Sequence, residues 1–157
     1  MSADILLTRR SFLTVSAAAF FAQRISLSAA AVAAMKDAYR NVFLIGTALD
    51  FRRPDEFTPD ELQLITSQFN AITPENSMKP GPIHPQEDTW NWTQPDALLS
   101  FCADKGIKAF GHNLVWHAQT NPWFFENATR DVALARLRTH IHTLVGRYKG
   151  KNSDWTS

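Results

Sequence analysis

Residues Gly111–Gln119 read GHNLVWHAQ and directly follow the short apolar run Ile107–Phe110. An apolar run of this length, preceded by a glycine that can end a helix, is typical of a buried strand. The polar motif is therefore expected at the carboxyl end of that strand. Its side chains combine large aromatic and neutral hydrogen-bonding groups: His112, Trp116, His117 and Gln119. An aromatic face beside neutral hydrogen-bonding groups is what a sugar-binding cleft requires.

A second polar cluster, Thr73–Pro80, reads TPENSMKP and also follows an apolar run. Glu75 can accept hydrogen bonds, Lys79 can donate them, and the amide of Asn76 can do both. Sugar hydroxyls need all three kinds of group. The residues alone fit equally well with a polar turn whose lysine lies in solvent, so both interpretations stand at this point.

Strands and helices are expected to alternate along the chain. The predicted strands are Val42–Ala48, Phe69–Thr73 and Ile107–His112, and the predicted helices are Met35–Asn41, a helix from the capping box Thr58–Glu61 to about Phe69, Pro95–Lys105, and one beginning near Thr129. Such alternation implies a parallel sheet with right-handed crossovers. Ligands of parallel α/β folds bind at the carboxyl ends of the strands, where both clusters fall.

Three further structural expectations follow from the pattern. Val42–Ala48 is apolar on both faces, which suits a fully buried strand. Lys79–Trp92 contains three prolines and little periodicity, so we expect a long loop that Trp90 and Trp92 pack against the core. The last helix should bury one apolar stripe: Leu134, Leu137, Ile141, Leu144 and Tyr148.

The first 33 residues have the composition of an export signal. Arg9 and Arg10 precede an apolar run that is too short to span a bilayer, and an Ala/Ser-rich stretch follows. The sequence Arg-Arg-Ser-Phe-Leu resembles a twin-arginine signal, which is the favoured interpretation; the alternative is that the arginines only supply the charge of an ordinary secretory signal. We therefore expect an exported protein, periplasmic or secreted, with a signal at 1–33, a mature domain at 34–157 and no membrane anchor.

Several function classes are disfavoured. A net charge of +1 without a basic block in the mature chain argues against nucleic acid as a partner. A lone cysteine, Cys102, excludes an internal disulfide and is expected to be a small buried apolar residue. In an extended segment His112 and His117 would face opposite sides, and His140 and His142 would do so on a helix, so a metal site is not expected. No phosphate-binding loop or nucleophile pattern is recognisable, and no cofactor is expected.

The two clusters together resemble a known family. TPENSMK and GHNLVWHAQ, about forty residues apart and joined by a Trp-Asn-Trp–helix–Gly segment, resemble glycoside hydrolase family 10, the endo-1,4-β-xylanases. Val42–Ala48, with its Ile-Gly-Thr-Ala, also resembles the first strand of that family. The resemblance covers about residues 35–150. It implies an α/β fold that forms the N-terminal portion, about three βα units, of a TIM (β/α)₈ barrel.

The resemblance also implies roles for individual side chains. Glu75, Asn76 and Lys79 would bind xylose units on the non-reducing side of the cut. His112 and Trp116 would bind the sugar at the cleavage point, and Gln119 the next sugar outward. Pro80 departs from the tryptophan that many relatives carry after the lysine. Xylan and xylo-oligosaccharides are the implied partners, and the oligomeric state is left open.

The catalytic groups of such an enzyme are not recognisable here. Retaining glycosidases use two carboxylates, and the resembled family supplies them as glutamates at the ends of strands four and seven. The chain contains five glutamates, none in such a context: Glu56, Glu61, Glu75, Glu87 and Glu126. The final residues, KNSDWTS, do not match the expected fourth strand. The sequence therefore indicates the front part of a xylanase that is inactive by itself, with a non-catalytic xylan-binding module or pseudoenzyme as the alternative.

Overall fold

The structure is a computed structural model that describes residues 33–51, 56–151 and 154–155. The predicted export signal lies outside the described residues except for its last position, Ala33, so it stays a prediction. In the part of the chain that is described, no helix is both long and apolar enough to cross a membrane.

Four parallel strands form one sheet in the order β1-β2-β3-β4. They are β1 (Gly46–Leu49), β2 (Ala71–Pro74), β3 (Lys108–Gly111) and β4 (Asp154–Trp155). Gly46 pairs with Ala71, Ala71 in turn with Lys108, and Gly111 with Trp155. The predicted parallel sheet is confirmed, although β2 begins two residues later than expected and β3 is shorter at both ends.

Helices connect the strands. They are α1 (Met35–Ala38), α2 (Pro59–Gln68), α3 (Pro80–Ile83), α4 (Thr93–Lys105) and α5 (Arg130–Tyr148), with a 3₁₀ turn at Pro122–Phe124. The predicted capping box is present, because the Thr58 hydroxyl accepts from the Glu61 amide while the Glu61 carboxylate accepts from the Thr58 amide. The predicted stop after α4 is also correct, since Gly106 adopts φ 64° there.

The prediction of a buried strand over Val42–Ala48 is wrong in its start and its burial. The amides of Val42 and Phe43 bond back to the Tyr39 carbonyl, so they continue the turn after α1 and cannot join the sheet. Val42 is 75% exposed, and the strand that follows is only half-buried at alternate positions. Pairing with β2 begins after Ile45, whose amide donates to the Asn70 side chain at 2.7 Å.

The segment Lys79–Trp92 is not wholly a loop, because α3 occupies Pro80–Ile83. A proline at the first helical position lacks only an amide hydrogen that would be unpaired there anyway. The expected packing of the tryptophans is confirmed: Trp90 stacks on His84 at 3.7 Å between ring centroids and on Trp92 at 4.6 Å.

The chain end was expected to mismatch a fourth strand, and the structure corrects this. Asp154–Trp155 forms β4, parallel to β3. The indole of Trp155 lies so close to Gly111 that a Cβ at that glycine would overlap it. The glycine is thus required by the approach of a neighbouring ring.

Two groups of side chains form the centre of the core: Ile72, Met78, Ile83 and Leu98 from the β2 to α4 region, and Leu144 and Tyr148 from α5. Cys102 is buried and free, as expected. The predicted stripe on α5 is only partly correct, because Leu134, Leu137 and Ile141 remain half-exposed while the polar His140 is fully buried.

Candidate functional site

The candidate site lies at the carboxyl ends of β2 and β3. The Glu75 amide donates to the Leu49 carbonyl at 3.0 Å, so pairing with β1 continues one residue beyond β2. Glu75 is then exposed at the rim, and the next side chain, Asn76, is half-buried. Both predicted residues therefore reach the edge where parallel strands present their ligands.

Lys79 is the centre of the site. Its side chain is buried, with 8% of the residue exposed, and its ammonium donates to the Asn76 side-chain oxygen at 3.0 Å. The same ammonium lies 4.8 Å from the centroid of the Trp116 ring. A cation at that distance is attracted by the negative face of the indole. The lysine thus does not lie in solvent, and it joins the two predicted clusters directly.

His112 follows β3 and is half-buried beside this group. Burial and the charge of Lys79 lower the pKa of His112 below its ordinary value of 6.5. A neutral imidazole presents one donor and one acceptor nitrogen, which suits a hydroxyl group. The lowered pKa favours this neutral form of His112 at neutral pH.

The prediction that strand alternation sets the faces of the GHNLVWHAQ segment is wrong, because β3 ends at Gly111 and turns follow. Trp116 is nevertheless half-buried against Lys79, and His117 is exposed with its ring edge towards Trp116. Among the described residues, no group of three His, Cys, Asp or Glu side chains could hold a metal ion.

Gln119 connects the segment after β3, to which it belongs, with the segment after β2 through its backbone. Its carbonyl accepts from the Gly81 amide at 2.7 Å, and a Cβ at Gly81 would lie 3.0 Å from that oxygen. The Gln119 side-chain oxygen is buried without a hydrogen-bond partner in the described part of the protein. The structure therefore places Gln119 at the junction of the segments, and its sugar-binding role stays a prediction.

Asp50 is a supporting residue that the sequence reasoning missed. It is 5% exposed directly after β1, and its carboxylate accepts from the Ser77 amide at 3.0 Å. This bond fixes the turn between Asn76 and Lys79. The signal was available, because Asp50 is also a polar residue directly after an apolar run.

Two of the other glutamates, Glu61 and Glu87, have structural contacts. Glu61 caps α2, and its pKa is lowered because it accepts hydrogen bonds from Thr58. Glu87 forms a two-pronged ion pair with Arg136 of α5, at 2.9 and 3.0 Å. At the candidate rim the described residues present one glutamate, Glu75, and it is solvent-exposed.

A family model described as Glycosyl hydrolase family 10 matches residues 34–156. An endo-1,4-beta-xylanase/feruloyl esterase of Xylanibacter ruminicola is 41% identical over 127 residues, covering 77% of this chain and 17% of that protein. Endo-1,4-beta-xylanase B of Paenibacillus barcinonensis is 36% identical over 129 residues, covering 79% of this chain and 38% of its own length.

Solved structures give the same result. The Thermobacillus composti GH10 xylanase superposes with a TM-score of 0.70 at 39% identity, over 78% of this chain and 38% of that one. A mutant structure in complex with xylotriose superposes with a TM-score of 0.73 at 34% identity, again over 78% and 38%. The chain thus spans well under half the length of these relatives. Its open parallel sheet with flanking helices is a partial TIM barrel, as predicted. On its sequence and its fold, the chain belongs to glycoside hydrolase family 10.

Proposed function

We propose that this chain provides the substrate-binding rim of an endo-1,4-β-xylanase. In its full-length form, that enzyme hydrolyses β-1,4-xylan with retention of configuration. The proposed binding residues are Glu75, Asn76, Lys79, His112, Trp116 and Gln119. The observation that carries the proposal is the meeting of the Lys79 ammonium with Asn76 and the Trp116 ring. Two loops that are distant in the sequence thereby form one surface.

The chemistry of this surface suits a neutral sugar. The indole of Trp116 offers an apolar face to the C–H groups of a xylose ring. Lys79 donates hydrogen bonds, Glu75 accepts them, and neutral His112 does both. Sugar hydroxyl groups therefore find partners whether they donate or accept. The relatives named as xylanases, and the structure in complex with xylotriose, support xylan as the substrate class.

Binding is tested by calorimetric titration of the 157-residue chain with xylohexaose. Truncation of an aromatic residue at the centre of a binding surface costs about 2 kcal/mol, or roughly thirtyfold in Kd. We expect that loss in Trp116→Ala. Phe125→Ala is the matched control, because Phe125 is an aromatic residue that is 55% exposed outside the rim. Equal affinities of the two variants would refute the assignment of Trp116.

We further propose that the isolated chain binds xylan without hydrolysing it. Retaining hydrolysis needs two carboxylates about 5–5.5 Å apart. Of the chain's glutamates, Glu61 caps a helix, Glu87 pairs with Arg136, and the rim residue Glu75 is assigned to binding. Reducing-sugar release from xylan should equal that of a protein-free blank, and turnover above the blank would contradict this proposal.

The same lone rim glutamate favours a second candidate, a non-catalytic xylan-binding module. A module unfolds in one cooperative transition and binds xylohexaose without further barrel strands. A chain that depends on further barrel strands shows a broad transition and weak binding. Urea unfolding followed by tryptophan fluorescence, together with the titration, separates the two.

Export through the twin-arginine route is proposed on the sequence of residues 8–13 alone. In a bacterial host, the chain should accumulate in the periplasm or the medium. Replacement of both Arg9 and Arg10 by lysine should retain it in the cytoplasm, whereas an ordinary secretory signal would tolerate that change because the charge is kept.

A further inference from the structure

Beneath the rim, two buried histidines are in direct contact. His84, which follows α3, and His140, on α5, are 1% and 0% exposed. Their Nδ1 atoms lie 2.9 Å apart, and their rings are parallel within 7°. Trp90 stacks on His84, and Phe124 packs edge-on against His140. Buried polar atoms in native proteins are hydrogen-bonded, so a proton is expected between these two nitrogens.

Both outer nitrogens of the pair lie against carbonyl oxygens, which can only accept. His140 Nε2 lies 3.0 Å from the Leu114 oxygen, and His84 Nε2 lies 3.0 Å from the Glu87 oxygen. Between the rings, the 2.9 Å contact of the two Nδ1 atoms is a hydrogen bond whichever ring supplies its proton. His140 thus connects His84 to Leu114.

The contacts of His140 connect the two segments that carry the candidate site, which are the segment after β2 and the segment after β3. Lys79 precedes α3 and His84 follows it, while Leu114 and Trp116 belong to the segment after β3. A direct connection lies nearby, because the Gly81 amide donates to the Gln119 carbonyl at 2.7 Å. His140 supplies the contact from α5 that holds both segments at once.

We propose that His140 is a positioning residue for sugar binding, which holds the segment of Lys79 against the segment of Trp116 without touching the sugar. For its effect on affinity this inference rests on the proposed function. Its structural part does not, since the register of the two segments can be measured in the free protein. His140→Phe removes both hydrogen bonds and keeps a ring of similar size. His140→Gln keeps one donor and one acceptor.

The first test is amide hydrogen exchange of the free full chain. The Gly81 amide reports the junction of the two segments, and the Phe69 amide, bonded to the Ile65 carbonyl at the end of α2, is a distant reference. In His140→Phe we expect Gly81 to exchange about tenfold faster relative to Phe69, because a connected pair of hydrogen bonds is lost. His140→Gln should restore most of the protection. Equal acceleration of both amides would overturn the inference, since that is the result of general destabilisation.

The second test is xylohexaose titration of the same variants at a temperature where each is folded. We expect weaker binding in His140→Phe, partial recovery in His140→Gln and no change in the matched control His142→Phe, whose histidine is exposed on the same helix. Unchanged affinity in His140→Phe would refute a positioning role. If the unaltered chain does not bind xylohexaose, the proposed function fails, while the exchange experiment still decides whether His140 holds the two segments.

Discussion

Acidification should destabilise the folded chain through His140. Burial and the neighbouring His84 lower the pKa of His140 from 6.5 to about 4. Because the folded pKa lies below the unfolded one, the unfolded chain binds more protons between these two values. The contribution of His140 to stability is therefore fully present above about pH 6.5 and is lost progressively as the pH falls to about 4.

The size of the effect follows from the gap between the two pKa values. One pKa unit corresponds to about 1.4 kcal/mol, so the full loss is about 3 kcal/mol. Carboxylates begin to titrate below about pH 5, and restricting the range to about pH 5–6.5 leaves roughly 2 kcal/mol from this histidine. That is a large share of the stability of a small domain.

The measurement is urea unfolding, followed by tryptophan fluorescence, at several pH values in that range. Burial also lowers the pKa values of His84 and His112, so the unaltered chain reports a sum. The charged groups near the pair are Glu87 and Asp88, which raise the pKa of His84, and Arg136, which is paired with Glu87. His140 is isolated by subtraction: the pH dependence should flatten in His140→Gln and persist in His142→Gln. Identical slopes in these two variants would refute the reasoning.

Three further predictions concern single contacts. Gly111→Ala should lower the free energy of unfolding by about 1–3 kcal/mol in urea, because the new methyl group overlaps the Trp155 ring; an unchanged midpoint would show that β4 does not pack there in solution. Thr58→Ala should cost about 1 kcal/mol in the same assay, since the cap of α2 on the Glu61 amide is lost, and a neutral result would contradict the capping box. Burial raises the pKa of the Cys102 thiol to about 11, so a thiol reagent near neutral pH should react only after urea is added; rapid labelling of the folded chain would show that this thiol is accessible.

Local chemistry explains what could be predicted from the sequence. The capping box at Thr58 and the glycine stop after α4 depend on neighbours within one helical turn, and both were correct. The two polar clusters were found because parallel strands end on the same side of a sheet. Their meeting through Lys79 needed the structure, since the sequence fitted equally well with a lysine in solvent.

The wrong predictions share a physical cause, which is a competing contact that periodicity does not encode. Val42 and Phe43 are apolar enough for a strand, yet their amides are already bonded to the Tyr39 carbonyl. His140 was considered only as a poor metal ligand on a helix. Its actual partners, His84 and Leu114, are far away in the sequence, so no local pattern could reveal them.

The contacts around Lys79 favour a binding role over a purely structural one. Burying an ammonium is costly unless the group is paired, and in the described structure its hydrogen-bond partner is one amide oxygen, with the Trp116 face as its other contact. An ammonium has three donors, so the hydrogen bond to Asn76 leaves capacity for further acceptors. The surrounding segment is fixed independently, by Asp50 on one side and by the histidine pair on the other. Since the fold does not need the lysine to hold that segment, Lys79→Met should keep the unfolding midpoint within about 1 kcal/mol while xylohexaose binding is lost. A large loss of stability would show that Lys79 serves the fold.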